Sequence, residues 1–233
     1  MSKQVVKKAL IACIPVMAGY IVLGIGFGLL LQKSGYGVFW ALTMSLFIYA
    51  GSMQYVGVSL ITGGASLITT ALTTLAVNAR HLFYSISMIN VYKDAGKKKP
   101  YLVFALTDET YSLLCGGTVP AGEDPQTYRF LVSLFNQCFW VTGSVIGALV
   151  GKALPFGTEG IEFSMTALFA ASMTEQWSRT KDHIPALTGL AASIICLVIF
   201  GPSDFLIPSM LSITFVLTII RKRIEGTPSE EKS

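Results

Sequence analysis

The stretch from Ala41 to Leu60 reads ALTMSLFIYAGSMQYVGVSL and contains no charged residue. A helix needs about 20 predominantly apolar residues to span the hydrocarbon core of a bilayer, and this stretch supplies them. Leu187 to Phe200 is a second such run. Hydrophobic residues make up 52% of the 233, and charged residues only 13%. That is about half the charge of an ordinary soluble domain, too little to cover a surface facing water, so the solvent for this surface is lipid. Inside lipid the backbone must satisfy its own hydrogen bonds, which makes helices the default. The long uniform runs lack the alternation of a membrane barrel. The expected fold is therefore all-α: a polytopic transmembrane helical bundle of seven to eight hydrophobic segments. They are expected at Ala9–Leu31, Val38–Ile61, Leu67–Val91, Tyr101–Cys115, Phe130–Val150, Phe163–Trp177, Ile184–Phe200 and Phe205–Ile220. Together they form a single membrane domain over residues 1–223, with halves at 1–120 and 121–223. Residues 224–233 are expected to form a disordered cytoplasmic tail.

The net charge of +4 reads as loop lysines and arginines facing the cytoplasm and anionic lipid. No basic groove suggests nucleic acid. The basic start, Met1 to Lys8, leads into an apolar run with no small-residue cleavage site at the usual distance. It reads as a signal anchor that forms the first membrane helix. The connector from Lys93 to Pro100 is strongly basic and is expected in the cytoplasm. The connector from Gly116 to Thr127 carries Glu123 and Asp124 and no basic residue, and is expected outside. These placements conflict. Lys3, Lys7 and Lys8 also ask for the cytoplasm, yet three segments separate them from Lys97, and three more separate Lys97 from Arg179 and Lys181. At least one segment in each set is then expected not to cross fully. Cys13, Cys115, Cys138 and Cys196 lie in apolar stretches without metal-ligand spacing, so they read as packing residues.

The second and sixth segments are the candidates for broken helices. Gly51-Ser52 sits inside the second, and such pairs often kink a helix. Leu46-Phe47 and Gln54-Tyr55 recur at the same spacing as Leu168-Phe169 and Gln176-Trp177. This pattern admits an internal repeat with broken helices, as in many secondary transporters.

The strongest polar feature is Asn78-Ala79-Arg80-His81 in the third segment. Arg80 lies roughly 18 Å of helix from Tyr92, deep in the membrane, where a charge costs ~2.5–3.5 kcal/mol on insertion scales and marks an interior or cavity-facing position. Asn78, His81 and Ser85 form one stripe of a helical wheel; Arg80, Tyr84 and Ser87 form its neighbour. In the fourth segment Asp108 lies roughly 12 Å in from Pro100. The third and fourth segments are expected to pack antiparallel, which brings Arg80 and Asp108 within reach as an ion pair. Glu109 points about 100° away, toward a different partner, as a proton carrier or a second substrate contact. Gly51, Ser52, Gln54 and Tyr49, Asn136 and Gln137, and Glu175 and Gln176 stand about evenly between helix–helix glue and site. Asp204 reads as a turn residue. Gly24 and Gly28 make a small-xxx-small pattern that permits close helix approach.

Enzyme readings are weak. His81 and His183 are the only histidines, and no metalloprotease, serine-hydrolase or phosphate-loop motif is present. No metal site and no cofactor are expected.

Taken in order, Tyr49-Ala50-Gly51-Ser52-Met53-Gln54-Tyr55, Asn78-Ala79-Arg80-His81-Leu82 and Leu106-Thr107-Asp108-Glu109-Thr110 resemble the successive motifs of the AzlC family of branched-chain amino acid permeases. Trp140 with Gly143, Gly147 and Gly151, and Gly160-Ile161-Glu162-Phe163, fit the same pattern. Ala79 departs from it, where a larger apolar residue is expected. The resemblance implies export of branched-chain amino acids, a bacterial inner-membrane location and a small AzlD-like partner subunit. It assigns no residue roles. From the membrane reading alone, a zwitterion is expected to meet Arg80 or the backbone near Gly51 with its carboxylate, and Asp108 or Glu109 with its ammonium. An ion channel or carrier, a non-transporting assembly subunit, and a homo-oligomer stay open at this point.

Overall fold

The computed structural model describes residues 3–116, 119, 122–153, 170, 173–174, 177–178 and 183–224. The described elements are all helical, and the chain forms two compact units, Met1–Ala167 and Leu168–Ser233. In the first unit α1 spans Lys3–Lys33, α2 Val38–Phe47, α3 Gly51–Thr62, α4 Leu67–Met88, α5 Lys99–Phe104, α6 Asp108–Gly116 and α7 Pro125–Ala153. A 3-10 turn at Gly96–Lys98 precedes α5. In the second unit α8 spans Ile184–Asp204, with a break at Gly201 (φ 75°), and α9 spans Leu206–Ile224. These two helices pack on each other, with Cys196 Sγ 3.9 Å from Ser212 Oγ. The sixth segment falls almost wholly outside the described residues, as do Glu175, Gln176, Arg179 and Lys181. So does the tail beyond Ile224.

The surface is that of a membrane protein. Leu75, Leu82 and Ile86 on α4 are 69%, 67% and 64% exposed, and soluble proteins rarely leave such a stripe bare. α1, α7 and Ile184–Gly201 are each long and apolar enough to cross a bilayer. α4 has the length, about 33 Å for its 22 residues, but carries Asn78, Arg80 and His81.

The spine of the first unit is the pair α1 and α7, which run parallel. Val5, Ala9 and Cys13 pack with Tyr128, Leu131 and Val132 at one end, and Gly151 meets Gln32 at the other. Between the ends the backbones touch through glycine. A Cβ on Gly24 would lie 2.9 Å from Ser144 N, and one on Gly143 would lie 2.6 Å from Ile21 O. A Cβ on Gly28 or Gly147 would overlap the Ser144 or Ile25 carbonyl oxygen. The small-xxx-small pattern is thus used on both helices, as close membrane packing requires.

Two of the expected segments are broken rather than continuous. The second is broken at residues 48–50, beside the Gly51-Ser52 pair, and Tyr49 there takes φ +44°, a conformation uncommon outside glycine. α2 and α3 fold back on each other: Gln54 Nε2 donates to Ser45 Oγ at 3.3 Å, and Met44 reaches Gly57. The fourth segment is broken at residues 105–107, and α6 returns so that Leu113 and Leu114 pack beside Val5 and Tyr128. Thr107 caps α6 by accepting from Thr110 N at 3.3 Å, and Asp108 and Glu109 occupy the first turn, where the helix dipole favours anions.

These hairpins change three expectations. The fourth segment, expected as one helix, is broken like the second. The connector from Gly116 to Thr127, expected outside, has its end Gly122–Thr127 on the same side as the basic one: Lys98 Nζ reaches Asp124 Oδ2 at 3.3 Å and Thr127 Oγ1 at 2.6 Å. Gln126 Nε2 and Arg129 Nη1 also donate to Val91 O. α4 and α6 run parallel rather than antiparallel, because the chain has already turned back before Asp108. α1 and α4 are then the two unbroken long helices between Lys3 and Lys97, an even number, which fits both basic stretches lying on one side and removes the first charge conflict. Asp124 caps α7, accepting from the Thr127 hydroxyl and from Thr127 N. Those hydrogen bonds, led by the Thr127 hydroxyl, hold its carboxyl below the usual range.

Candidate functional site

The two hairpins enter the unit from opposite ends and their broken tips meet inside it. Tyr49 from the first tip lies 6.3 Å, centroid to centroid, from Phe104 at the second. The Tyr49 hydroxyl is beside those of Tyr20 and Thr107 but makes no hydrogen bond of full geometry. Against this junction lies a cavity of about 430 Å³, within the range of small-molecule sites. Ile48, Tyr49 and Ala50 wall it from one break, Phe104 and Leu106 from the other. Met44, Met53, Gly57 and Ile61 add an apolar side, and α4 adds a polar stripe of Thr70, Thr74, Asn78, His81 and Ser85. The wheel stripe Asn78, His81, Ser85 does line a common space.

Arg80 stands beside this wall. Its Nη1 is 2.7 Å from Asp108 Oδ2, and its Nη2 donates to Ser52 Oγ at 2.8 Å. The guanidinium therefore ties α4 to the N-terminus of α3 and to that of α6, next to both breaks. His81 Nε2 lies 3.6 Å from Asp108 Oδ1 and links the pair to the cavity. Two acceptors here, Asn78 Oδ1 and Asp108 Oδ1, are buried without a hydrogen-bond partner. The antiparallel premise was wrong, but the helices place these two residues at one depth all the same.

Glu109 faces away from the pair, toward α1, where the Tyr20 hydroxyl lies 2.7 Å from its Oε2. Gln54 is fully buried and off the cavity wall; it accepts from Trp140 Nε1 at 2.9 Å. Gly51 leaves room for the same indole, since a Cβ there would meet Trp140 at 3.1 Å. Tyr84 stacks on Tyr111, centroids 4.7 Å apart. Asn136 donates to Thr110 Oγ1 at 3.0 Å, and Gln137 joins Tyr101 to the carbonyl of Leu46. Gln54, Tyr84 and Gln137 thus each bridge neighbouring helices. Tyr20 and Thr107 were not anticipated. A tyrosine in an apolar run carries no signal of its own, whereas Thr107 before two acids is the pattern of a helix N-cap and could have revealed the break. Among the described residues no group of three or more His, Cys, Asp or Glu could hold a metal.

Comparison with known proteins follows the same regions. The profile of the family described as "AzlC protein" matches residues 15–154. The chain is 43% identical over 212 residues to the Branched-chain amino acid transport protein AzlC of Bacillus subtilis, covering 91% of this chain and 84% of that one. It is 40% identical over 212 residues to an uncharacterized membrane protein of Helicobacter pylori, covering 91% and 93%. It is 28% identical over 190 residues to the Inner membrane protein YgaZ of Escherichia coli, covering 78% of each chain. No solved structure shows significant similarity.

Proposed function

We infer that this chain, which belongs to the AzlC family, is a multi-pass membrane transporter that moves branched-chain amino acids through the cavity where its hairpin tips meet. The observation that carries this reading is the cavity itself: an apolar chamber of about 430 Å³, edged by two helix breaks and reached by a deep ion pair through His81. A branched side chain suits the wall of Met44, Ile48, Met53 and Ile61. The ammonium group suits Asn78 Oδ1 and Asp108 Oδ1, neither of which accepts a hydrogen bond, and the carboxylate suits Arg80 or the N-terminal turn of α3, which no side chain caps. Broken helices aimed at a buried site are the usual device of secondary transporters. The relative named as a branched-chain amino acid transport protein supports the substrate class. We propose the direction as export and a small AzlD-like subunit as partner, both on the family resemblance.

The test is efflux. Cells loaded with labelled valine or leucine and expressing the chain with its candidate partner should lose label faster than cells lacking them. Equal rates for both amino acids would remove the reading.

A further inference from the structure

A hydrogen-bond chain lies on the far side of α6 from the Arg80–Asp108 pair. Tyr20 Oη is 2.7 Å from Glu109 Oε2 and 2.6 Å from Thr107 Oγ1. Thr107 Oγ1 is 3.0 Å from Thr110 Oγ1, and Asn136 Nδ2 is 3.0 Å from the same Thr110 oxygen. Tyr20, Thr107, Thr110 and Asn136 are all buried, and Asn136 Oδ1 has no partner. Each hydroxyl has one proton to give, so Tyr20 cannot donate to Glu109 and Thr107 at once.

Thr107 donates to Thr110 Oγ1, and Asn136 Nδ2 donates to the same oxygen, so the Tyr20 proton is the one that can switch. With Glu109 ionised, Tyr20 donates to the carboxylate, as the 2.7 Å bond records. With Glu109 protonated, Glu109 donates to Tyr20 and Tyr20 turns its proton to Thr107 Oγ1, 2.6 Å away. One proton from water joins Glu109 Oε2; the Tyr20 hydroxyl keeps its own and rotates.

We propose that Glu109 is the proton-binding site that couples transport to a proton gradient, with Tyr20, Thr107, Thr110 and Asn136 as positioning residues that carry its state to the hairpin tips. Thr107 is the link, since it lies in the second break and caps α6, and Tyr49 of the first tip stands beside it and Tyr20. The charged and titratable groups facing Glu109 are Tyr20 from α1, Tyr49 from the first break, Arg80 and Tyr84 from α4, and Asp108 on α6. α7 contributes the Asn136 amide to the chain. Proton relays are one of the recurring roles of an acid inside a membrane protein.

The proposal rests on the transport reading, and the experiment separates the two. The chain, together with its candidate partner subunit, in vesicles containing a pH-sensitive dye is given a valine gradient. In the wild type, protons move with valine. In Glu109→Gln the ratio of protons to valine falls to background, and in Tyr20→Phe, which keeps the carboxyl but cuts the chain, it falls as well. Valine flux with no proton movement in the wild type, or an unchanged ratio in Glu109→Gln, overturns the proposal and leaves the transport reading standing. If no valine moves, the transport reading fails and infrared difference spectra on acidification decide the proton site. A carboxyl band absent in Glu109→Gln and altered in Tyr20→Phe sustains it; no Glu109-dependent band overturns it.

Discussion

Replacing Arg80 with alanine is expected to abolish amino acid transport and to weaken the fold of the first unit. The guanidinium is bound to Asp108 Oδ2 at 2.7 Å and to Ser52 Oγ at 2.8 Å, so one side chain holds the starts of α3 and α6 together. Its loss leaves the Asp108 carboxylate in an apolar bundle without its cation. Breaking a buried pair costs about 3–5 kcal/mol. Both side chains here keep some exposure, 34% and 26%, so roughly 2–3 kcal/mol is the appropriate scale for stability. Transport falls further than stability does, because the same charge belongs to the proposed substrate site. The exchanged pair, Arg80→Asp with Asp108→Arg, separates the two effects. It restores an ion pair and is expected to recover thermal stability in detergent while efflux stays at background. Efflux recovered by the exchanged pair would make the interaction purely structural. Wild-type efflux from Arg80→Ala would take Arg80 out of the site.

Substituting leucine for Gly28 or Gly147 is expected to prevent assembly of the first unit. At both positions even a Cβ would overlap backbone of the facing helix, so the change cannot be absorbed by a rotating side chain. Overpacking a core costs about 1–3 kcal/mol when neighbours can shift; here α1 and α7 must separate along their length, and the cost lies above that range. Gly19 supplies the control. It is on α1 as well, but nothing stands within 4 Å of its Cβ position. Gly19→Leu should accumulate in the membrane like the wild type, while Gly28→Leu and Gly147→Leu are degraded or aggregate. Comparable levels for all three, measured by fluorescence-detected size exclusion, would mean that the glycine contact does not hold α1 and α7 together.

Much of this architecture was legible in the chain. Low charge and long apolar runs require helices in lipid, Gly51-Ser52 marks the first break, and the depth of Arg80 singles out a residue that the folded unit pairs with Asp108. The second break was less visible because Ala105-Leu106-Thr107 contains no glycine or proline. Its traces were indirect: a threonine followed by two acids, and a charge pattern that did not fit the number of crossings. The conflict between Lys3 and Lys97 was real information, since re-entrant hairpins leave hydropathy unchanged while removing a crossing. The acidic connector misled because Asp124 serves as a helix cap and a partner for Lys98 rather than as a marker of the outer face. Residues such as Gln54 and Gln137 could not be sorted into tie or site by type, since a buried amide satisfies either role and only its partners decide.

The central claim is that the amino acid sits where the two hairpin tips meet. Substrate protection of a cysteine placed at Thr74 tests it most directly, in a variant with Cys13, Cys115, Cys138 and Cys196 replaced. Thr74 lines the cavity, and its neighbour Leu75 faces outward at 69% exposure. L-leucine should slow maleimide labelling of Thr74→Cys and leave Leu75→Cys unaffected, and D-leucine should protect neither. Labelling of Thr74→Cys that is unchanged by L-leucine at concentrations that saturate transport would contradict the account.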